Sequence, residues 1–169
     1  MEIKTENKFD LVIENYNIYQ QLEFLKKQAA QREVVFLCVG NSKVWFDSFG
    51  PLVGSFLQYL EFPKYIYGNL KTSITKSNVE KYIDMIYKFH INPFIVVIDS
   101  AISNTLVPKI KIKKGQTTVA CMSDNPVMVG DYSILFCLNK KQMKDSFYYK
   151  NLFTCVKKVG RMIKFIFTN

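Results

Sequence analysis

The sequence predicts an α/β fold: a three-layer α/β/α sandwich around a mixed, largely parallel sheet. Two observations predict it. Short apolar runs, VVFLCVG from Val34 and PFIVVID ending at Asp99, have the length and β-branched content of strands buried on both faces. Segments with helical spacing of apolar residues alternate with them. Such alternation implies right-handed crossovers that place helices on both sides of a parallel sheet.

Taken in order, apolar spacing predicts an amphipathic helix from about Ile13 to Gln31, with residues 1–12 as a flexible N-terminal tail in a single domain of residues 1–169. A buried strand follows over Val34–Val39, and a second helix begins near Phe49 and stops before Pro63. KYIYG reads as a short strand. SNVEKYIDMIYKF reads as a helix capped by Ser77, with Glu80 three residues on. After the strand that closes at Asp99 the pattern turns to strands: Lys109–Lys114, Thr117–Cys121 and Tyr132–Leu138. These form the mixed edge. Apolar positions from Met143 to Ile166 then recur at helical spacing with lysines and an arginine between them, which predicts a long C-terminal helix with a basic outer face.

Composition narrows the function classes. With 169 residues, 49% hydrophobic and 15% aromatic, the chain can bury a sizeable core and is not a disordered protein. No apolar run approaches the roughly 18 residues of a membrane span, and the opening MEIKTENKFD has no signal-peptide pattern, so the expected location is cytoplasmic. Cys38, Cys121, Cys137 and Cys155 show no C-x-x-C spacing and read as buried, reduced thiols. The formal charge of +9 invites an acidic partner, yet Lys109, Lys111 and Lys113 alternate with Ile110 and Ile112 as the solvent side of a strand. A solvated basic face is the reading. A nucleic-acid partner is not expected, because no aromatic-interleaved RNA motif occurs.

The candidate chemistry lies in VGNSKVWFDSFGPLVGS. Loops leaving the carboxyl ends of parallel strands carry the ligand site in an open α/β sheet. One such loop holds Asp47, close to the start of a helix, and the other buried strand closes on Asp99 at the same rim. Two carboxylates there can share a proton as acid and base toward water, or hold a divalent metal through hard oxygen ligands. The structural alternatives are an N-cap at Asp47 and a turn-bracing carboxylate at Asp99. No G-x-x-x-x-G-K-[ST] is present, which excludes a P-loop. The lone histidine, His90, falls at the amino end of the later strand, about 20 Å from the carboxylates, and cannot complete a metal site with them. Asp131 reads as a turn residue.

GN followed by FDSFGPLVG, then NPFIVVIDSA, then VGDYSI resembles the YyaC family of sporulation proteins, relatives of the spore germination protease and, more distantly, of the hydrogenase maturation proteases. The resemblance runs from about Val34 to Ile166 and implies their mixed-sheet sandwich fold. It implies an aspartate-dependent peptidase of the sporulating cell or spore, acting on a peptide or protein substrate, with Asp47 and Asp99 as catalytic carboxylates or as ligands of a divalent metal. Asn41, Trp45 and Gly50 are the expected substrate-binding positions around them. The chain departs from the family pattern where Trp45 and Phe46 replace small residues and Phe153 replaces an arginine. The alternative is therefore a member that has lost catalysis and binds a peptide or protein.

Overall fold

The computed structural model describes residues 8–119 and 126–169, with side chains from residue 16 onward. In chain order the elements are Lys8–Ala29 (α1), Val34–Cys38 (β1), Phe49–Tyr59 (α2), Tyr65–Tyr67 (β2), Val79–Phe89 (α3), Phe94–Ile102 (β3), Lys109–Lys114 (β4), Thr117–Val119 (β5), Val127–Val129 (β6), Tyr132–Leu138 (β7) and Tyr149–Thr168 (α4). Five strands form the main sheet in the order β2-β1-β3-β7-β4. β2, β1, β3 and β7 are mutually parallel, and β4 joins β7 antiparallel as an edge.

Strand alternation divides the core in two. Phe36, Cys38, Val96, Ile98, Ile134 and Phe136 face one way, where Leu22 and Leu25 of α1, Val53 and Leu57 of α2, and Val159 and Ile163 of α4 cover them. Val35, Leu37, Ile95 and Val97 face the other way, under Val79 and Ile86 of α3 and under Val119 and Val129 of the β5–β6 hairpin. Helices thus cover one face, and a helix with a hairpin covers the other. Fully buried side chains such as Phe36 and Ile98 each contribute about 1.5–3 kcal/mol on burial.

Several boundaries differ from the sequence-based expectation. α1 begins at Lys8, so residues 8–12 are helix rather than tail; nothing from Lys8 to Ile13 is a glycine or proline that would stop it. Residues 1–7 lie outside the described part. α3 is not capped by Ser77. Its N-cap is Asn78, whose Oδ1 accepts from Thr75 N at 2.8 Å, while Ser77 Oγ pairs with Thr75 Oγ1. A local turn satisfies both side chains, so neither is left for the helix amides. β5 ends at Val119, and Cys121 falls outside the described residues. The C-terminal helix starts at Tyr149, not near Met143. Two short 3₁₀ turns precede it, and the buried Gln142 accepts from Asn139 N and donates to Leu106 O there. Phe147 is accordingly exposed instead of facing a helical core.

Cys38, Cys137 and Cys155 are buried, as expected, and Cys38 and Cys137 are free thiols. Among the described residues, no helix is long and apolar enough to cross a membrane.

Candidate functional site

Two parallel strands of unequal length make the site. β1 pairs with β3 only as far as Cys38↔Ile98, while β3 continues to Ile102 beside β7. Asp99 is therefore not at the end of its strand, as expected. It stands in mid-strand, one residue past the last β1 partner, where the chain of β1 turns away and opens a crevice. Alternation directs Asp99 to the same face as Val97 and Ile95, the face of α3 and the hairpin.

The loop leaving β1 brings Asp47 to that crevice. Val39 N still donates to Ile98 O at 2.8 Å, and Gly40 N then donates to Ile74 O. Gly40 has φ +136°, and a Cβ there would meet Asp47 O at 2.0 Å; only glycine lets the loop close so tightly. Asn41 Oδ1 accepts from Lys43 N at 3.0 Å, and the main-chain N–H of Asn41 donates to Asp47 Oδ2 at 2.8 Å. Asp47 closes the 3₁₀ turn Trp45–Asp47 instead of capping α2. Ser48 leaves α2 uncapped as well, because its Oγ donates back to Trp45 O.

Gly50 has a different part from the substrate contact expected of it. It is buried, and a Cβ would meet Val39 O at 2.1 Å and Ile98 O at 2.5 Å. Its absent side chain lets the first turn of α2 press against the carboxyl ends of β1 and β3. A residue enclosed in that way cannot touch a substrate.

Both carboxyls are raised, chiefly by burial. Burial holds Asp99 well above the ordinary carboxylate range; the Ser100 N–H, donating to Asp99 Oδ1 at 2.7 Å, opposes this, and the negative charge of Asp47 adds to it. Burial also raises Asp47, against the opposing Asn41 N–H. Both carboxyls thus lie toward the carboxyl end of the parallel strands, Asp99 on β3 and Asp47 on the loop that leaves β1. A divalent metal finds less support, since among the described residues no three His, Cys, Asp or Glu side chains gather into a ligand set.

Trp45 and Phe46 do not simply fill the crevice. Both are partly buried against the helix-covered face, the side opposite to Asp99's alternation. Trp45 meets Phe46 edge to face at 5.9 Å and Tyr149 at 6.3 Å, and Tyr149 meets Phe153 at 4.9 Å. A row of aromatic rings therefore walls one side of the rim. Asn41 holds the loop with both its main chain and its side chain.

His90 and Asp131 lie at the opposite end of the sheet. His90 is buried, with Nε2 2.8 Å from Tyr67 OH, Nδ1 3.3 Å from Glu33 Oε2 and the Tyr65 ring at 4.3 Å. It is a packed core group. Asp131 accepts from Arg32 Nη1 at 2.7 Å and from Ile95 N at 2.9 Å, which ties the α1–β1 connection to the start of β7. The arginine partner was not legible in sequence, because ninety-odd residues separate the pair and no local pattern links them. Ser100 was missed too, though a residue following a mid-strand aspartate is well placed to donate to it.

A mixed, mostly parallel sheet between helical layers, with a loop carboxylate and a strand carboxylate at its rim, defines an α/β protein of the hydrogenase-maturation-protease type of fold. A solved structure, the [NiFe] hydrogenase maturation protease HycI from Thermococcus kodakarensis KOD1, matches it with a TM-score of 0.51 over 85% of this chain and 99% of that one, at 15% identity. The likeness is one of fold. The chain belongs to the family described as protein of unknown function DUF1256, whose pattern matches residues 10–169. It is 32% identical over 77 residues to the uncharacterized protein YyaC of Bacillus subtilis (strain 168), a stretch that makes up 45% of this chain and 38% of that protein.

Proposed function

We infer that the protein hydrolyses peptide bonds with Asp47 and Asp99 as a base and acid pair. What supports this reading is the placement of Asp47 on the loop leaving β1 and of Asp99 one residue past the last β1–β3 pair, with the charge of Asp47 among the influences that raise the Asp99 carboxyl. Asp47, held by the Asn41 N–H, is the member that stays ionised and takes a proton from water. Asp99 is the member that keeps its proton and donates a hydrogen bond to the scissile carbonyl. The water oxygen adds to the carbonyl carbon to give a tetrahedral intermediate. The carbon–nitrogen bond then breaks, the amine leaves with the proton taken up by Asp47, and a carboxylic acid and an amine result.

The test is incubation of the protein with a peptide library, with and without EDTA. Cleavage that persists in EDTA and falls at least about 100-fold in both Asp47→Asn and Asp99→Asn supports the reading. Cleavage unchanged in both variants overturns it.

The second reading, a peptide-binding module without catalysis, draws on the aromatic row Trp45–Tyr149–Phe153, whose last two members are 44% and 37% exposed. Such rings offer area to a peptide side chain. Peptide binding by the wild-type protein without any turnover favours this reading over the first. Use in the cytoplasm of a sporulating cell is the setting suggested by the sequence resemblance; appearance of a fluorescent fusion only during sporulation is the matching observation.

A further inference from the structure

Asp99 and Lys111 are partners of the same residue: β3 pairs Asp99 with Leu135, and β4 pairs Lys111 with Leu135. The three side chains lie in one row across the sheet, on one face. The next row on that face is Ala101, Cys137 and Lys109. Leu135 is partly exposed and belongs to neither buried cluster, so the floor of this trough is apolar and open. Strand alternation puts Lys109 and Lys111 on this face, and both are exposed. Among the described residues, no Asp or Glu lies within ion-pair distance of Lys109 or Lys111.

We propose that this trough docks an extended acidic peptide segment, its carboxylates against Lys109 and Lys111, and so selects an acidic side chain about three residues from the bond presented to Asp99. The assignment of Asp99 to the bond rests on the peptidase reading above. The interval follows from the sheet: two strand spacings of about 4.8 Å separate Asp99 from Lys111, the span of about three extended residues at 3.3 Å each. Charge complementarity decides the chemistry of the partner. A nucleic-acid strand would bring its phosphates past Asp47 and Asp99, whereas a peptide places neutral backbone there and carboxylates only at the lysines. The apolar floor at Leu135 suits the alternate side chains of such a strand.

Fluorescence anisotropy with a labelled octapeptide alternating glutamate and valine, and with its lysine–valine counterpart, tests this. The wild-type protein binds the glutamate peptide at least tenfold more tightly, and K109E/K111E loses at least tenfold at unchanged melting temperature. K81E/K157E, an equal change of net charge on exposed lysines elsewhere, leaves binding as it was. Equal affinity for both peptides overturns the proposal, as does an equal loss in K81E/K157E or tighter binding of a single-stranded oligonucleotide. The peptidase reading is separable. Glutamate-peptide binding retained in D47N/D99N, without turnover in any variant, keeps the docking surface and sinks the peptidase; cleavage indifferent to acidic side chains does the reverse.

Discussion

The main-chain N–H of Asn41 donates to Asp47 Oδ2 at 2.8 Å, so the carboxylate fastens the two ends of the loop that carries it. An amide oxygen accepts the same bond, and a methyl group does not. Asp47→Asn therefore keeps stability within about 1 kcal/mol of wild type, while Asp47→Ala loses about 1–3 kcal/mol because a part-buried N–H is left unpaired. Urea unfolding of the two variants checks the difference.

Asp99 makes stability depend on pH in a defined direction. Its folded-state carboxyl is held well above the usual range, chiefly by burial, so the folded state binds the proton more tightly than the unfolded chain does. Stability is highest below the unfolded value of about 4, and falls as pH rises from there through the raised folded value. Asp99→Asn removes that loss. At pH 7 its melting temperature stands about 2–4 °C above wild type, the shift that about 1 kcal/mol makes in a chain of this size, and near pH 4 the two coincide. A wild-type melting temperature that rises from pH 4 to pH 7 contradicts this.

Gly50 holds α2 against the rim, so Gly50→Ala forces a methyl group onto the carbonyls of Val39 and Ile98, which are backbone and cannot swing aside. The expected cost is about 3 kcal/mol or more. Gly115→Ala, where a Cβ meets nothing within 4 Å and only the φ of +94° is unfavourable, costs about 1–2 kcal/mol. Denaturant midpoints at constant m-value rank the two.

His90 is a structural group at the end of the sheet remote from Asp99. Its truncation to alanine leaves a cavity among Tyr65 and Tyr67 and takes a partner from the Tyr67 hydroxyl, at a cost of about 2–4 kcal/mol. Peptide binding at 20 °C, measured on the folded fraction, stays unchanged in His90→Ala. A loss of binding in that fraction would place the site at the wrong end of the strands.

The sequence by itself determined the layers and the rim. VVFLC and FIVVI are apolar at every position, as in a strand covered on both faces, and the intervening helical periods imply parallel crossovers. With those strands parallel, Asp47 and Asp99 had to emerge at one end of the sheet and His90 at the other. What only the tertiary structure decided is how far each strand runs. β3 passes Asp99 because β7 offers three further pairing partners, and β1 stops at Cys38 because Gly40 turns toward Ile74, so the crevice is a difference between strand lengths. That difference depends on partners distant in sequence. The lysines of β4 show the same division: their alternation with isoleucines was legible as a solvent face, but their alignment with Asp99 through Leu135 is a register, and register is set by pairing between strands. Gly50 completes the contrast, since a glycine after a loop reads as a turn until the carbonyls of two neighbouring strands are seen where its side chain would be.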